Sequence, residues 1–195
     1  MSETQPRRRA DARRNIEKVR QAAADAFSAH GLDTPLDKIA KSAGVSVGTL
    51  YNHFGGRDGL LDAVVTELAD RKVTEAVAAT QDASAPWQRL VAFVHAICEG
   101  QAADPAFNDT FSSRHQSAPA LKAVCDQSLA FAADLLAAGQ ADGTVRADVT
   151  AADIGLIFQV NGDLVRAGSG TGRTRILALL FDALRPGAAR APLPE

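Results

Sequence analysis

Residues 34–57, TPLDKIAKSAGVSVGTLYNHFGGR, contain two short amphipathic patterns separated by a glycine. In the first pattern, apolar side chains recur at helical spacing after a threonine–proline pair that suits the start of a helix. Gly44 follows, and a residue without a side chain adopts at little cost the left-handed conformation that ends a helix. In the second pattern Ser46 is a suitable N-cap, and Leu50 and Phe54 lie one turn apart on one face. The stretch therefore predicts a helix–turn–helix whose second helix has a polar outer surface.

Two further helices are expected around this motif. Residues 11–30 place their apolar side chains on one stripe and are followed by Gly31, a favourable residue just beyond a helix. After the motif, a long helix is expected over residues 57–80, with an apolar face that becomes thinner beyond its middle. We therefore predict a three-helix, homeodomain-like helix–turn–helix domain at residues 11–56 and a helical domain after it.

The second domain, residues 57–185, is also predicted to be helical, so the fold class is all-α. No window shows sustained strand alternation, and aromatic and β-branched residues are sparse. Helices are expected near residues 86–100, 104–112, 117–139, 149–168 and 172–185. The two ends, residues 1–10 and 186–195, have no apolar face or are rich in proline, and we expect both to be disordered.

The composition is that of a globular protein, with 195 residues, 46% of them hydrophobic and 23% charged. No run of about 20 apolar residues is present, and the charged N-terminus has no apolar signal-peptide segment. We therefore expect a cytoplasmic protein without membrane contact. In that compartment Cys98 and Cys125, the only cysteines, would be free and packed.

The charge is unevenly distributed along the chain. Residues 1–59 carry ten Lys and Arg against seven Asp and Glu, whereas the remainder carries eleven against sixteen. A basic first third suggests binding to an anionic partner. Within the terminal arm, Arg7, Arg8 and Arg9 would contact phosphate or the minor groove, or would only make the terminus more soluble.

The first sixty or so residues resemble the TetR family of bacterial transcriptional regulators. The resemblance rests on Phe27 and Gly31, on Ile39-Ala40, on Ala43-Gly44-Val45-Ser46, on GTLYNHF at residues 48–54, and on Leu60-Leu61. It implies an Ω-shaped homodimer in which each subunit has a three-helix DNA-binding domain, a connecting fourth helix, and a helical domain for ligand binding and dimerisation. Most members of the family repress transcription until a small molecule releases them from the operator.

The resemblance places the helix that begins after Ser46 in the major groove of double-stranded DNA. Base contacts would come from Val47, Thr49 and Asn52, because asparagine can pair with adenine and methyl groups can contact thymine. Gly48 would allow a close approach of the backbone to DNA.

Phosphate contacts are expected from Thr34, Tyr51, His53 and Arg57. The resemblance implies that Tyr51 offers its hydroxyl to a phosphate and that His53 has the same task. The alternatives are a core aromatic at Tyr51 and a solvated surface histidine at His53. Many family members carry a basic residue directly after the phenylalanine, where this chain has Gly55, so Arg57 is the cation expected to pair with phosphate.

The C-terminal helices carry aromatic and polar side chains that would line a largely apolar pocket for a small-molecule effector. The candidate ligand-binding residues are Trp87, Phe93, His95, Phe107, Phe111, His115, Phe131, Phe158 and Asn161. Phe107 and Phe111 lie on a short helix that resembles the element gating the family's pocket. For each aromatic residue taken singly, ordinary core packing is the alternative.

No cofactor, metal site or enzymatic activity is predicted. His95 and Cys98 are three residues apart, and His115 and Cys125 would have to approach them, but no tight cluster or CxxC spacing is present. The sequence also has no recognisable nucleophile motif or glycine-rich phosphate loop. Two alternatives remain open: a helical enzyme or small-molecule carrier with an incidental helix–turn–helix, and a regulator that senses a partner protein.

The last two helices carry broad apolar stripes, which would pack against their twins in a two-fold four-helix bundle. The interface candidates are Ile154, Ile157, Leu164, Ile176, Leu180 and Leu184. The alternative is burial of both stripes within the monomer.

Overall fold

The computed structural model describes residues 4–111, 117–188 and 191–193. Within these ranges the backbone forms nine α-helices, one short 3₁₀ turn and no strand, which confirms the all-α prediction. The helices are α1 (Thr4–His30), α2 (Leu36–Ala43), α3 (Val47–Phe54), α4 (Arg57–Ala78), α5 (Pro86–Ala103), α6 (Pro105–Thr110), α7 (Pro119–Ala141), α8 (Ala151–Arg166) and α9 (Gly170–Ala183). None of these described helices combines the length and the apolar character that a bilayer span needs.

Helices α1, α2 and α3, called the head below, surround a small apolar core. Phe27, Ile39 and Leu50 come from the three helices in turn, and each is fully buried. The predicted turn is present: Gly44 has a φ of 68°, and its N–H donates to the carbonyl of Lys41 at 3.1 Å. This backbone conformation is the one that glycine adopts most readily, so the sequence places it correctly.

Helix α1 begins at Thr4, so residues 4–10 are helical and not disordered as predicted. Pro6 lies in the first turn, where a missing N–H leaves no helical hydrogen bond unmade. The arginines and alanines that follow are good helix formers, which explains why the helix extends to this point. The side chains of Arg7, Arg8 and Arg9 lie outside the described part of the chain.

Helix α4 connects the head to helices α5–α9, called the body below. It packs against α1 and α3 on the head side and against α5, α6 and α7 on the body side. Leu60, Leu61 and Val65 are buried in its first turns. The buried apolar side chains form one continuous cluster from head to body. Head and body therefore share one packed apolar interior.

The C-terminal segment differs from its predicted disorder. Pro186–Ala188 form a 3₁₀ turn, and residues 191–193 lie against the body. Arg146 donates to the carbonyl of Ala191 at 3.0 Å, and the N–H of Leu193 donates to Asp148 at 2.8 Å. Prolines in the segment restrict the unfolded chain, which lowers the entropic cost of docking.

Candidate nucleic-acid interface and effector cavity

Helix α3 presents one open face to solvent. Val47 is 36% exposed and Tyr51 is 52% exposed, and Asn52 and His53 are also exposed. Leu50, on the opposite side, is fully buried and fixes the orientation of the helix on the head. These four side chains are therefore exposed on a helix that a buried leucine anchors to the head.

The start of α3 is held by a local hydrogen-bond pair. Ser46 Oγ accepts from the N–H of Thr49 at 3.1 Å and lies 2.9 Å from its hydroxyl. This is the N-cap that the sequence predicted. A Cβ at Gly48 would meet only Ser46 Oγ, at 3.7 Å, so internal packing does not require glycine there.

Tyr51 is not the core aromatic that the alternative interpretation required. Its ring lies over Gly56, where an added Cβ would come within 3.4 Å of Cε1. The ring is half exposed, so the hydroxyl is not enclosed in the head core. His53 is exposed in the same turn of α3, as both the phosphate-contact and the surface-histidine interpretations expected.

Two residues predicted to contact phosphate instead donate hydrogen bonds to backbone carbonyls inside the protein, which corrects both assignments. Thr34 is buried, and its hydroxyl donates to the carbonyl of Gly31 at 2.8 Å. The guanidinium of Arg57 donates to the carbonyl of Leu32 and, at 2.9 Å, to that of Thr34. Loop carbonyls need donors when they are partly buried, and the arginine fork can satisfy two of them. Thr34 and Arg57 therefore fasten the α1–α2 loop, residues 31–35, to the start of α4.

Exposed cations elsewhere on the head were missed as phosphate candidates. Lys38 and Lys41 lie one turn apart on α2, and both are exposed. Their i, i+3 spacing puts them on one side of the helix. This spacing was the signal in the sequence that would have identified them, and they supply positive charge that Arg57 does not present outward.

A cavity of about 190 Å³ lies between α6, α7 and α8. Its apolar lining includes Leu121 and Leu129 from α7 and two of the predicted aromatic residues, Phe111 and Phe158. The centroids of these two rings are 5.3 Å apart. Leucine and phenylalanine side chains therefore form the apolar part of this cavity.

Polar groups lie along one part of the cavity lining. Lys122 and Asp126 form an exposed ion pair one turn apart on α7, and Gln159 contributes from α8. Cys125 Sγ donates to the carbonyl of Thr110 at 3.3 Å. Burial raises the pKa of Cys125 to about 12, so this thiol is protonated at neutral pH.

Three of the other predicted ligand residues pack as ordinary core side chains. Phe93 is buried, and its ring is 5.0 Å from that of Phe131 in an edge-on arrangement. Phe107 is fully buried, and its ring centroid lies 5.4 Å from that of Phe111. None of the three lines the cavity between α6, α7 and α8. Phe93 and Phe107 are buried and Phe131 is half-buried, and all three pack against other side chains and not into this cavity, which corrects their assignment as its lining residues.

Three of the remaining predicted ligand residues also lie away from this cavity. Trp87 packs under the guanidinium of Arg185 at 4.4 Å, and His95 is exposed, 3.8 Å from Glu99. Asn161 is buried and donates to the carbonyl of Cys98 at 3.2 Å and to Gln101 Oε1 at 2.8 Å. Its amide is thus committed to joining α8 to α5. His115 lies outside the described residues.

The rival metal site is not assembled in the described part of the chain. His95 is exposed, whereas Cys98 on the same helix is buried, and burial raises the pKa of that thiol to about 12. Among the described residues no group of three or more His, Cys, Asp and Glu side chains is placed to hold a metal ion.

The predicted dimer residues divide into two sets. Ile154, Ile157 and Leu184 are buried within the monomer, and Ile157 and Leu184 also line an apolar groove beside Leu156. Leu164, Ile176 and Leu180 are half-buried. The largest exposed apolar side chains of these helices are Leu156 (55% exposed), Val160 (41%) and Leu179 (61%). Helix α8 is apolar on more than one side, and periodicity alone does not tell which side the monomer covers.

Comparisons with known proteins match both parts of the chain. A family model described as "Bacterial regulatory proteins, tetR family" matches residues 19–64, and one described as "Transcriptional regulator SbtR-like, C-terminal domain" matches residues 85–186. A curated relative, the uncharacterized HTH-type transcriptional regulator TtgW of Pseudomonas putida, is 40% identical over 57 residues. That match spans 29% of this chain and 42% of TtgW, which is less than half the length of the relative.

Two solved structures are similar over most of the chain. The TetR transcriptional regulator SCO0520 from Streptomyces coelicolor is 26% identical, with a TM-score of 0.52, and the match covers 87% of this chain and 98% of that one. The transcriptional regulator FadR from Bacillus subtilis, solved in complex with stearoyl-CoA, is 15% identical, with a TM-score of 0.66 and coverage of 88% and 98%. The similarity to FadR concerns the fold alone.

Proposed function

Since the chain belongs to the TetR family of bacterial transcriptional regulators, we propose that it is a repressor that binds a palindromic operator as a homodimer and is released by a small molecule. The observation that carries this proposal is the exposed face of α3, a capped helix that follows a glycine turn and packs firmly on the head. A second helix of this kind is the element that enters the major groove in helix–turn–helix proteins.

In this proposal Val47, Thr49 and Asn52 contact base edges. Asparagine offers a donor and an acceptor to adenine, and the methyl groups of valine and threonine fit the thymine methyl. Gly48 allows the start of α3 to approach the duplex closely, since nothing inside the protein requires glycine at that position.

Phosphate contacts would come from the rim of the same surface. Ser46 offers a polar group at the N-cap of α3, and Tyr51 and His53 offer polar groups on the helix itself. Lys38 and Lys41 offer positive charge on α2. Contacts of this kind hold the protein in register on the duplex without selecting a sequence.

The homodimer is supported by the exposed apolar side chains of α8 and α9. Leu156, Val160 and Leu179 are exposed in the monomer, and an apolar groove of about 210 Å³ lies beside the first two. Packing of these helices against the equivalent helices of a second subunit would cover the exposed apolar area. It would also place two heads on one duplex, where recognition helices about 34–36 Å apart enter successive major grooves.

The cavity between α6, α7 and α8 favours a small molecule over a partner protein as the signal. Its volume of about 190 Å³ is comparable to an engineered apolar cavity of about 150 Å³ that holds benzene. The effector would therefore be about the size of one substituted ring, with an apolar body against Phe111 and Phe158. A polar group would face Lys122, Asp126 or Gln159. To turn a mostly bound population into a mostly free one, it must favour the released state by about 5 kcal/mol.

The test begins with selection of binding sequences from random DNA by the purified full-length protein. We expect a two-fold symmetric sequence to be enriched, and we expect Asn52→Ala to relax the preference at one base pair in each half-site. Lys72→Ala, at a partly exposed site on α4, is the control that should leave the selected sequence unchanged. Enrichment of no sequence at all would contradict the proposal and favour a carrier or an enzyme.

A further inference from the structure

Asp109, on α6, hydrogen-bonds to two parts of the protein at once. Its Oδ2 accepts the backbone N–H of Leu32 at 2.9 Å, in the α1–α2 loop of the head. Its Oδ1 accepts from Arg166 Nη1 at 3.1 Å, at the last residue of α8. A carboxylate that accepts a backbone N–H and a guanidinium makes two charge-assisted hydrogen bonds, which are stronger than neutral ones.

The position of Asp109 against the loop is fixed by a close approach. A Cβ built on Gly31 would lie 2.4 Å from Asp109 Oδ2, so the carboxylate occupies space that only glycine leaves free. Gly31 also has a φ of 82°, a conformation that side chains disfavour. The loop and the carboxylate therefore fit each other in one arrangement.

The backbone N–H and carbonyl of Leu32 are hydrogen-bonded to side chains of two different helices. Asp109 receives its N–H, while Arg57 of α4 donates to its carbonyl. At the other end of α6, Asp104 Oδ2 accepts from Ser28 Oγ of α1 at 3.3 Å. The α1–α2 loop is therefore hydrogen-bonded to both α4 and α6, and α6 is hydrogen-bonded to the head near both of its ends.

Helix α6 also forms part of the wall of the effector cavity. Thr110 and Phe111, the two residues after Asp109, both line it, and the carbonyl of Thr110 accepts from Cys125 of α7. An occupant that displaces Phe111 displaces the end of α6 on which Asp109 lies. Because α8 and the head loop belong to different parts of the molecule, such a shift cannot keep both bonds of Asp109 unchanged.

We infer that Asp109 is a positioning residue that couples occupancy of the cavity to the orientation of the head. An empty cavity leaves the carboxylate on Leu32 and holds the head in its DNA-binding orientation. A filled cavity moves α6, weakens the bond to Leu32 and frees the loop to move with α1. This inference rests on the proposed function of the cavity and names the side chain through which its occupancy acts.

A cavity-filling substitution can replace the effector in the test. Gly155 lines the cavity on α8, and a Cβ there would meet only Leu129 Cδ2, at an ordinary 3.7 Å. Gly155→Leu therefore extends a side chain into the cavity without a backbone clash. The proteins to compare are wild type, Gly155→Leu, Asp109→Ala and the double variant, each measured on a duplex selected by the wild type.

We expect Gly155→Leu to weaken binding at least about fivefold in the wild-type background, the lower end of typical allosteric couplings. In the Asp109→Ala background the same change should alter affinity by less than about twofold, because the coupled residue is absent. An equal effect in both backgrounds would overturn the inference, as would wild-type affinity in the single Gly155→Leu protein. Gly155→Val, which adds less volume, replaces Gly155→Leu if thermal unfolding shows that the leucine variant does not fold.

Asp163→Ala is the matched control. Asp163 is the other partner of Arg166, at 2.7 Å, and its side chain is largely exposed. The Asp163→Ala substitution removes an ion pair of Arg166 but leaves the hydrogen bond between Asp109 and Leu32. Gly155→Leu should keep its full effect on affinity in the Asp163→Ala background.

Hydrogen exchange of the Leu32 amide gives a readout that needs no DNA. Asp109→Ala should accelerate this exchange about tenfold or more, because the N–H loses a charged acceptor, and Gly155→Leu should accelerate it in the same direction. Asp163→Ala should leave it unchanged. If no duplex is selected, the proposed function fails while the exchange still tests the coupling. If DNA binds but Gly155→Leu leaves Leu32 exchange at the wild-type rate, the coupling fails alone.

Discussion

The guanidinium of Arg57 donates to the carbonyl oxygen of Thr34 at 2.9 Å, so the first residue of α4 is hydrogen-bonded to the loop that precedes α2. The same side chain donates to the carbonyl of Leu32. An arginine at this place in the sequence is expected to meet phosphate, but here its donors are directed at the backbone. The difference changes what a substitution at Arg57 should do.

Arg57→Lys should destabilise the head and leave the salt dependence of DNA binding unchanged. A lysine presents a single ammonium on a flexible stem and cannot reproduce the two-pronged contact. We expect a loss of about 1–3 kcal/mol in the free energy of unfolding, measured by urea denaturation. Arg71→Lys, at an exposed position of α4, is the control and should change stability little. A drop of about one in the salt slope of DNA affinity with Arg57→Gln, which removes the positive charge, would instead indicate a phosphate contact.

Tyr51→Phe should weaken binding to all DNA sequences by a similar factor. The ring is half exposed and rests on Gly56, so removal of the hydroxyl leaves the packing of the head intact. A lost phosphate hydrogen bond is worth about 0.5–1.5 kcal/mol and carries no sequence information. Band-shift titrations on the selected duplex and on a scrambled duplex measure both factors. A loss confined to the selected duplex would assign Tyr51 to base recognition.

Leu156→Glu should convert the proposed homodimer to a monomer. The side chain is 55% exposed on α8 beside the apolar groove, so a carboxylate there would have to be desolvated at a two-fold interface. Sedimentation velocity measures the change, and the monomer should also lose high affinity for a palindromic duplex. Asp134→Lys, an exposed charge change on α7, is the control. A Leu156→Glu protein that remains a dimer would place the interface elsewhere.

Asp148→Asn should lower the thermal stability at neutral pH but not in acid. Arg146 donates two hydrogen bonds to the carboxylate, at 2.6 and 2.7 Å, and the N–H of Leu193 donates a third. The bonds from Arg146, and then that from Leu193, hold the pKa of Asp148 well below its ordinary value.

A depressed pKa in the folded state means that the carboxylate stabilises the protein above the unfolded-state pKa of about 3.9 and loses this effect as the pH falls below it. The melting temperatures of wild type and Asp148→Asn should therefore differ at pH 7 and converge as the pH falls from about 4 toward the folded-state pKa. Asp134→Asn is the matched exposed control on α7. A difference that stays constant from pH 7 into the acid range would show that the carboxylate charge is not what holds the segment.

Cys98 and Cys125 should resist alkylation while the protein is folded. Burial raises the pKa of each thiol to about 12, and only the thiolate reacts with iodoacetamide. At pH 8.5, near the ordinary thiol pKa of about 8.5, the folded protein should react far more slowly than the same protein in urea. Mass spectrometry of timed samples measures both sites. Rapid modification of folded Cys125 would indicate that the cavity opens on the timescale of the reaction.

Most of the head could be predicted from the sequence because its signals are local. The turn at Gly44, the cap at Ser46 and the buried Leu50 all follow from residues within one or two helical turns of one another. The exposed face of α3 then follows from the periodicity of one helix. The same kind of local pattern predicted the body helices to within a few residues.

The candidate effector cavity could be predicted only in outline. The aromatic residues of the body were recognised as a group, yet of them only Phe111 and Phe158 line the cavity, whereas Phe93, Phe107 and Phe131 pack against other side chains. A list of apolar residues does not say which of them surround an empty volume and which pack against one another. On α8, likewise, Leu156 and Ile157 are adjacent in the sequence, yet the first is exposed and the second is buried in the monomer.

The sequence by itself determined the helices and the exposed face of α3, since both depend on short-range periodicity, caps and turn residues. Only the tertiary structure decided the partners of the charged side chains. Arg57 meets a loop carbonyl 23 residues away, and Asp109 meets the N–H of Leu32, 77 residues away. Such pairs form because buried backbone groups need partners, and the nearest donor or acceptor depends on how the helices pack together.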